Sequence, residues 1–303
     1  MPTRSILFGQ QQPGGALAVL DLEQHPRNVW FVDSAAAGGG DTVGHGQHPD
    51  TPFDTLAYAF SSDLMAAGDV CYVMPGHTEA VAAAGTITMD IAGIRVIGLG
   101  WGSNRPTFTW TATDATIAVS AASVEIKNIL CQVTIDEVVK MWDWTGAYGV
   151  MDAVDFNLAE AAEEAIQFVY ATSAATDFRM RNCRHHQATA AAANAQWVEI
   201  RGARTVIEDN IFEIELTNNA ASKIISNGAA AVGQVCRGNV IHAISASCIP
   251  ISYHASSEGI ACDNRVVSTG TLAGKIALGG LSGNENYVAT TANKNGILDP
   301  VVA

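Results

Sequence analysis

Charge is scarce in this sequence. Only 15% of the 303 residues are Asp, Glu, Lys or Arg, against 48% hydrophobic. A surface so thinly charged suits a chain that covers much of its exterior with copies of itself or with other subunits. Basic residues are the scarcest part: 16 Lys and Arg against 30 Asp and Glu leave a formal charge of −14. The densest basic cluster is Arg179, Arg181 and Arg184, alternating along an expected strand. This distribution argues against nucleic acid or an anionic membrane as partner. No apolar run reaches the ~18 residues of a membrane span. The opening MPTRSILFGQQQPGG lacks the apolar core of a signal peptide. The six cysteines, Cys71, Cys131, Cys183, Cys236, Cys248 and Cys262, include no CxxC pair and no zinc spacing. They read as small buried hydrophobes in a reducing compartment. GxSxG, P-loop and HExxH patterns are missing. GLGWGSNRP lacks the third glycine of a dinucleotide loop and reads as a bend.

What is present is a long series of short alternating segments: VCYVM, TITMDI, IRVIGL, TFTWTA, TIAVS and VEIKNI. They are rich in β-branched residues and separated by Gly, Asn and Asp, the pattern of strands between bends. An internal repeat organises them. VEIKNILCQV, FRMRNCRHHQ, TVIEDNIFEI, QVCRGNVIHA and GIACDNRVVS each run into an asparagine: Asn128, Asn182, Asn210, Asn239 and Asn264. The successive separations are 54, 28, 29 and 25. The first is two periods of 27, with its midpoint at Asp155 in GVMDAVDFNL, and a weaker copy ends at Asn286. A period of 22 to 29 predicts an all-β chain wound as a single-stranded right-handed parallel β-helix. Asn tolerates the left-handed backbone of a bend, and stacked Asn amides can bond from coil to coil as a ladder. A β-sandwich would need hairpin signals that are missing here.

The expected layout is an extended arm over residues 1–28, then a strand, loop and capping α-helix over 29–69. Coils follow over 70–290, with a tail at 291–303. The helix is expected to start at Thr51 as N-cap, with Pro52 and Asp54 completing the signal, and to stop at Gly68. LAEAAEEAIQFVYA reads as a helix or as a charged loop running into a strand through Ile166, Phe168 and Tyr170. In GDVCYVMPGHTE, His77 and Glu79 are expected on an exposed turn after Pro75-Gly76.

Candidate chemistry is thin. Asp136, Glu137, Asp152, Asp155, Glu213 and Glu215 are the carboxylates from which stacking could build a glycosidase pair. No cluster suits a lyase, and no catalytic set is assigned. The loop Asp33 to Asp54 offers Asp41, His45, His48 and Asp50 as the only metal-ligand candidates, with a plain glycine-rich loop preferred. His185 and His186 are expected on opposite faces of one strand. Trp142 and Trp144 share a strand face, and outward they would form a subunit contact or a glycan platform, with core packing the third option. No cofactor is implied.

The order of VWFVDS, GGGDTVGHGQHPDTPFDTLAYAF, AAGDVCYVMPGHTEAV, ITMDIAGIRVIGLGWGSNRPTFTW, MRNC, EDNIFE, NENYV and GILDP resembles a family of bacteriophage-encoded parallel β-helix proteins, pectate-lyase-like in fold. The resemblance runs from Val29 to the C-terminus. It implies a virion structural protein, a homotrimer assembled in the host cytoplasm. On this reading it is a capsid decoration or head-attached protein whose arm docks on the major capsid protein or another virion protein. The alternative is a tailspike that binds or cleaves host polysaccharide; the chain is short for one. A host adhesin would want a secretion signal.

Overall fold

Period-two stretches of three to six residues, each closed by a residue that accepts a left-handed backbone, build strands too short to form hairpins but well suited to coiling. The computed structural model describes residues 28–158, 165–191, 196–216, 222–270, 272, 274–290 and 297–298. Within these, the chain is a parallel β-helix. It visits three sheets in a fixed order, so one coil is, for example, Glu125–Lys127, Leu130–Val133 and Trp142–Trp144. The first sheet holds ten strands, the second ten and the third eight. Eight coils therefore carry all three. Every pairing between named strands is parallel except Ile297–Leu298, which lies antiparallel to Tyr287–Thr290.

Stacking in register puts like on like. On the first sheet Val96, Ile126, Met151, Met180, Ile207, Cys236 and Ala261 point inward one above another. On the third, Ile117, Trp142, Val169 and Val198 do the same. Each large apolar side chain removed from water contributes about 1.5–3 kcal/mol, and no single coil could bury its own interior. The cysteines are free, five of them buried and Cys262 half-buried.

Left-handed bends flank the first-sheet strands, on both sides for the five from Glu125–Lys127 to Gln234–Arg237. Before the strand stand Gly68, Gly93, Ser123, Tyr148, Asp177, Arg204 and Gly233; after it stand Asn128, Ala153, Asn182, Asp209, Gly238, Asp263 and Glu285. Asn128 and Asn182 thus sit at the bend itself, with φ of 56° and 55°. Asn210, Asn239 and Asn264 lie one residue later, fully buried. The expected five-member asparagine ladder is therefore two different columns. The true ladder is Asn210, Asn239, Asn264 and Asn286: each Nδ2 donates to the next Oδ1 at 3.0, 2.9 and 2.8 Å. Each Oδ1 also accepts the backbone N–H of the preceding coil, beginning with Cys183 N–H on Asn210 Oδ1. Upstream, the same column is filled by His77, Pro106, Ile129, Val154 and Cys183. Asn128 instead donates to the carbonyls of Gly98 and Gly100, and Asn182 to Asp152. The missing copy near Asp155 proves to be Ala153-Val154.

Helix α1 (Leu56–Ser61) is shorter than expected and starts later. Its N-cap is Thr55, whose hydroxyl accepts Tyr58 N–H. Thr51 and Phe53 are instead held in bridges to His48 and Val32. The helix ends at Ser62, and Gly68 belongs to the first-sheet bend. Leu56, Ala59 and Phe60 are buried. His77 and Glu79 are buried too, not exposed. Glu79 accepts Leu56 N–H at 2.6 Å and Ala57 N–H at 3.0 Å, and meets His77 Nε2 at 3.2 Å. A carboxylate inside the first coil thus satisfies the open helix N-terminus, where negative charge is favoured.

Of LAEAAEEAIQFVYA, residues 159–164 lie outside the described set, and Val169–Ala171 is a strand. Residues 1–27 and 299–303, the bulk of the expected arm and the end of the tail, also lie outside it. Asn28 is tied to the first coil by Asp69. No helix among the described residues is long and apolar enough to cross a membrane.

Candidate functional site

The outward face of the second sheet carries a groove of about 910 Å³. Alternation along its strands aims every second side chain outward, and parallel register stacks those side chains into columns. One column reads Thr109, Gln132, Asn157, His186 and Glu213 over five successive coils. All five line the groove. A neighbouring column contributes Thr107, Leu130, Asp155, Arg184 and Ile211. The bend GLGWGSNRP forms the rim through Gly102, Ser103 and Arg105, and a 3₁₀ turn spans Gly102–Asn104.

Charges in the groove are largely spent on one another. Arg105 meets Asp155 at 2.5 Å, and His186 Nδ1 meets Glu213 at 3.3 Å. Arg184 has no ion pair among the described residues. The side chains of Thr109, Gln132 and Asn157 have no hydrogen-bond partner there either, so their donors and acceptors face the groove unpaired.

Two of the six candidate carboxylates come together here. Asp155 and Glu213 are separated by two coils and by two positions along the strand, an offset of about 12 Å between Cα atoms. Each is already engaged by a base, Asp155 by Arg105 and Glu213 by His186. Asp152 is on the first sheet, bound to Lys127 at 3.5 Å and Arg181 at 3.1 Å. Asp136 and Glu137 lie between the Leu130–Val133 and Trp142–Trp144 strands, outside the groove. The Glu215 side chain falls outside the described set.

The metal candidates do not converge. Asp41 accepts Asp54 N–H, Thr55 N–H and the Thr55 hydroxyl, so it buttresses the start of α1. His45 pairs with Thr42, and His48 with Asp50 at 3.5 Å. No group of three metal-ligating side chains forms among the described residues.

Trp142 and Trp144 share a face, but it is the inner one: both are 0% exposed. Trp142 packs on Trp110 and Trp144 on Phe178. The platform reading of this pair is overturned, because Asp143 takes the outward position between them and pairs with Lys140. The indole that does stand in water is Trp101, 84% exposed, on the turn between Gly100 and Gly102.

Beneath the groove lies an aromatic core. His185 points inward and His186 outward, as alternation requires. The His185 ring lies between Phe156 and Phe212, with centroids at 5.9 and 6.5 Å. Its Nε2 accepts the Trp197 indole N–H at 2.8 Å. Burial, assisted by the charge of His186, pushes its pKa down to about 3. His185 is thus a neutral core group.

No protein-family model matches the chain. No curated protein matches it either. The site is therefore read from its own chemistry: a trough lined by apolar side chains such as Leu130 and Ile211 together with polar ones such as Thr109, Gln132 and Asn157.

Proposed function

We propose that this protein is a non-enzymatic structural component of a bacteriophage particle, a capsid decoration or head-attached protein that works as a homotrimer. The observation that carries the reading is the parallel stack, in which eight successive coils are bonded one to the next through three sheets. Such a rod offers few loops to a protease and resists local opening. The order of sequence motifs from Val29 onward points the same way.

Self-association is supported by the last coils of the second sheet. There the outward positions include the exposed apolar side chains Ile211, Val240, Ile244, Val267 and Tyr287, beside Glu213, His242 and Arg265. A chain with 15% charged residues and such a strip gains by burying it against copies of itself. Residues 1 to about 28 are the proposed docking arm for a shell protein.

Immunogold microscopy of purified particles is the test. Label over the head is expected, and removal of residues 1–27 should abolish labelling while leaving the β-helix folded. Normal incorporation of the truncated protein, or no label on intact particles, would overturn the reading. Label at the tail tip would favour the tailspike alternative.

A further inference from the structure

We propose that His186, Glu213 and His242 form a binding site for a divalent transition-metal ion of the Zn²⁺ or Cu²⁺ class on the outer face of the second sheet. All three ligands come from one chain, so the site does not rest on the virion reading.

The argument starts from register. His186 pairs with Glu213, and Glu213 with His242, on three successive coils. Their Cα atoms therefore stand in one column, with neighbours ~4.8 Å apart and the two histidines ~9.6 Å apart. The residues on either side of each ligand are buried: His185 and Gln187, Phe212 and Ile214, Ile241 and Ala243. Alternation thus turns all three ligands outward. The side chains of His186 and Glu213 are 50% and 62% exposed, and His242 is half-buried.

Reach and donor type suit an ion. Zinc takes an imidazole nitrogen at ~2.0–2.1 Å and a carboxylate oxygen at ~2.0–2.2 Å. A carboxylate centred between two imidazoles, one coil from each, can share an ion toward which both rings lean. As the side chains stand, His186 Nδ1 lies 3.3 Å from Glu213 Oε2, and no three donors converge among the described residues. Closing on an ion takes rotation about surface side-chain bonds and leaves the sheet in place. His242 gives up nothing in turning, since it has no hydrogen bond or ion pair among the described residues.

Two imidazoles and a carboxylate select borderline divalent ions, whereas calcium and magnesium prefer oxygen throughout. Three protein ligands leave a fourth position to water. A net charge of −14 draws cations to the chain. In the adjacent column Arg184 and Arg265 stand beside His186 and Val267, while Ile211 and Val240 stand beside Glu213 and His242. The guanidiniums therefore flank the two ends of the site, and apolar side chains line its middle.

The test titrates full-length protein, free of any affinity tag, with Zn²⁺ and with Cu²⁺ by calorimetry. His186→Ala, His242→Ala and Glu213→Gln run alongside. One ion per chain with a micromolar or tighter Kd is expected, and the Cu²⁺ paramagnetic resonance spectrum should show coupling to two imidazole nitrogens. Each histidine variant should weaken binding by more than ~100-fold, beyond the loss of a metal's outer partners, and Glu213→Gln by at least about tenfold. Circular dichroism should stay unchanged, because all three side chains point outward. The proposal is overturned by no binding tighter than millimolar, by a preference for Ca²⁺ or Mg²⁺, or by coupling to a single imidazole nitrogen. Binding that survives both histidine variants would also overturn it, by placing the ion elsewhere. So would fewer ions than chains together with a metal-dependent rise in sedimentation coefficient, which would divide the ligands between two chains. None of these outcomes depends on particle labelling, so this proposal and the virion reading can fail separately.

Discussion

Removing the Asn239 side chain tests the ladder at its centre, and the bonding pattern sets the size of the effect. Asn239 Oδ1 accepts both the backbone N–H and the Nδ2–H of Asn210, and its Nδ2 donates to Ile207 C=O and Asn264 Oδ1. In Asn239→Ala the two acceptors keep other bonding opportunities, since Asn264 Oδ1 still takes Asn239 N–H. The two Asn210 donors lose their acceptor inside a dry interior. Each stranded donor costs about 1–3 kcal/mol, so Asn239→Ala should cost about 2–6 kcal/mol. Asn210→Ala strands only one, the Cys183 N–H, and should cost about half as much. The double variant strands two donors, not three, because the Asn210 amide is gone. It should therefore fall short of the sum of the singles by one donor, about 1–3 kcal/mol. Urea unfolding at fixed pH measures all three, with unfolding half-lives as the alternative where refolding is incomplete. Strict additivity, or equal costs for the two single variants, would refute the ladder as a coupled network.

Other consequences can be checked in the same way. His185 has its pKa held at about 3 in the fold, against an ordinary value near 6.5, so between those pH values the unfolded chain binds a proton that the native state refuses. Its contribution should erode stability by up to about 1.4 kcal/mol per pH unit as pH falls through that window. His185→Phe should flatten the urea-midpoint slope from pH 6 to 4, although it leaves the Trp197 N–H without its acceptor. An unchanged slope would place the titration elsewhere. Glu79→Ala should expose residues 53–65 to limited proteolysis and cost about 1–2 kcal/mol, the worth of a strong cap. Ile244→Lys combined with Val267→Lys should lower the sedimentation coefficient to that of a monomer without altering circular dichroism; an unchanged coefficient would remove the aliphatic strip from the proposed trimer contact.

The sequence made the coil legible because the repeat is carried by residues with a backbone reason to recur. It did not separate the two asparagine columns, since adjacent positions look alike when aligned by eye on a single letter. Only register shows that Asn128 stacks over Ala153 and Asn182, while Asn210 stacks over Cys183. For Trp142 and Trp144, period two establishes a shared face but is symmetric between inside and outside; Asp143 between them was the available signal. His77 and Glu79 were misplaced because their role depends on α1, whose Leu56 N–H lies 23 residues away in sequence. Trp101 was passed over inside a glycine-rich bend. An indole with glycine on both sides and no apolar residue within two positions except Leu99 was the clue.

On the first sheet, Lys127, Asp152, Arg181, Glu208 and Arg237 occupy one outward column, alternating in sign from coil to coil. Asp152 is bound from both sides by Lys127 and Arg181, and Glu208 accepts from Arg237 and lies 3.6 Å from Arg179. Alternation imposes a parity rule on how this rod can change length. Excising one coil from this stretch would set Asp152 over Glu208, or Arg181 over Arg237, and like charges stacked at ~4.8 Å repel. Excising or duplicating two coils restores the sequence of signs. Over this segment, the chain should gain and lose turns in pairs.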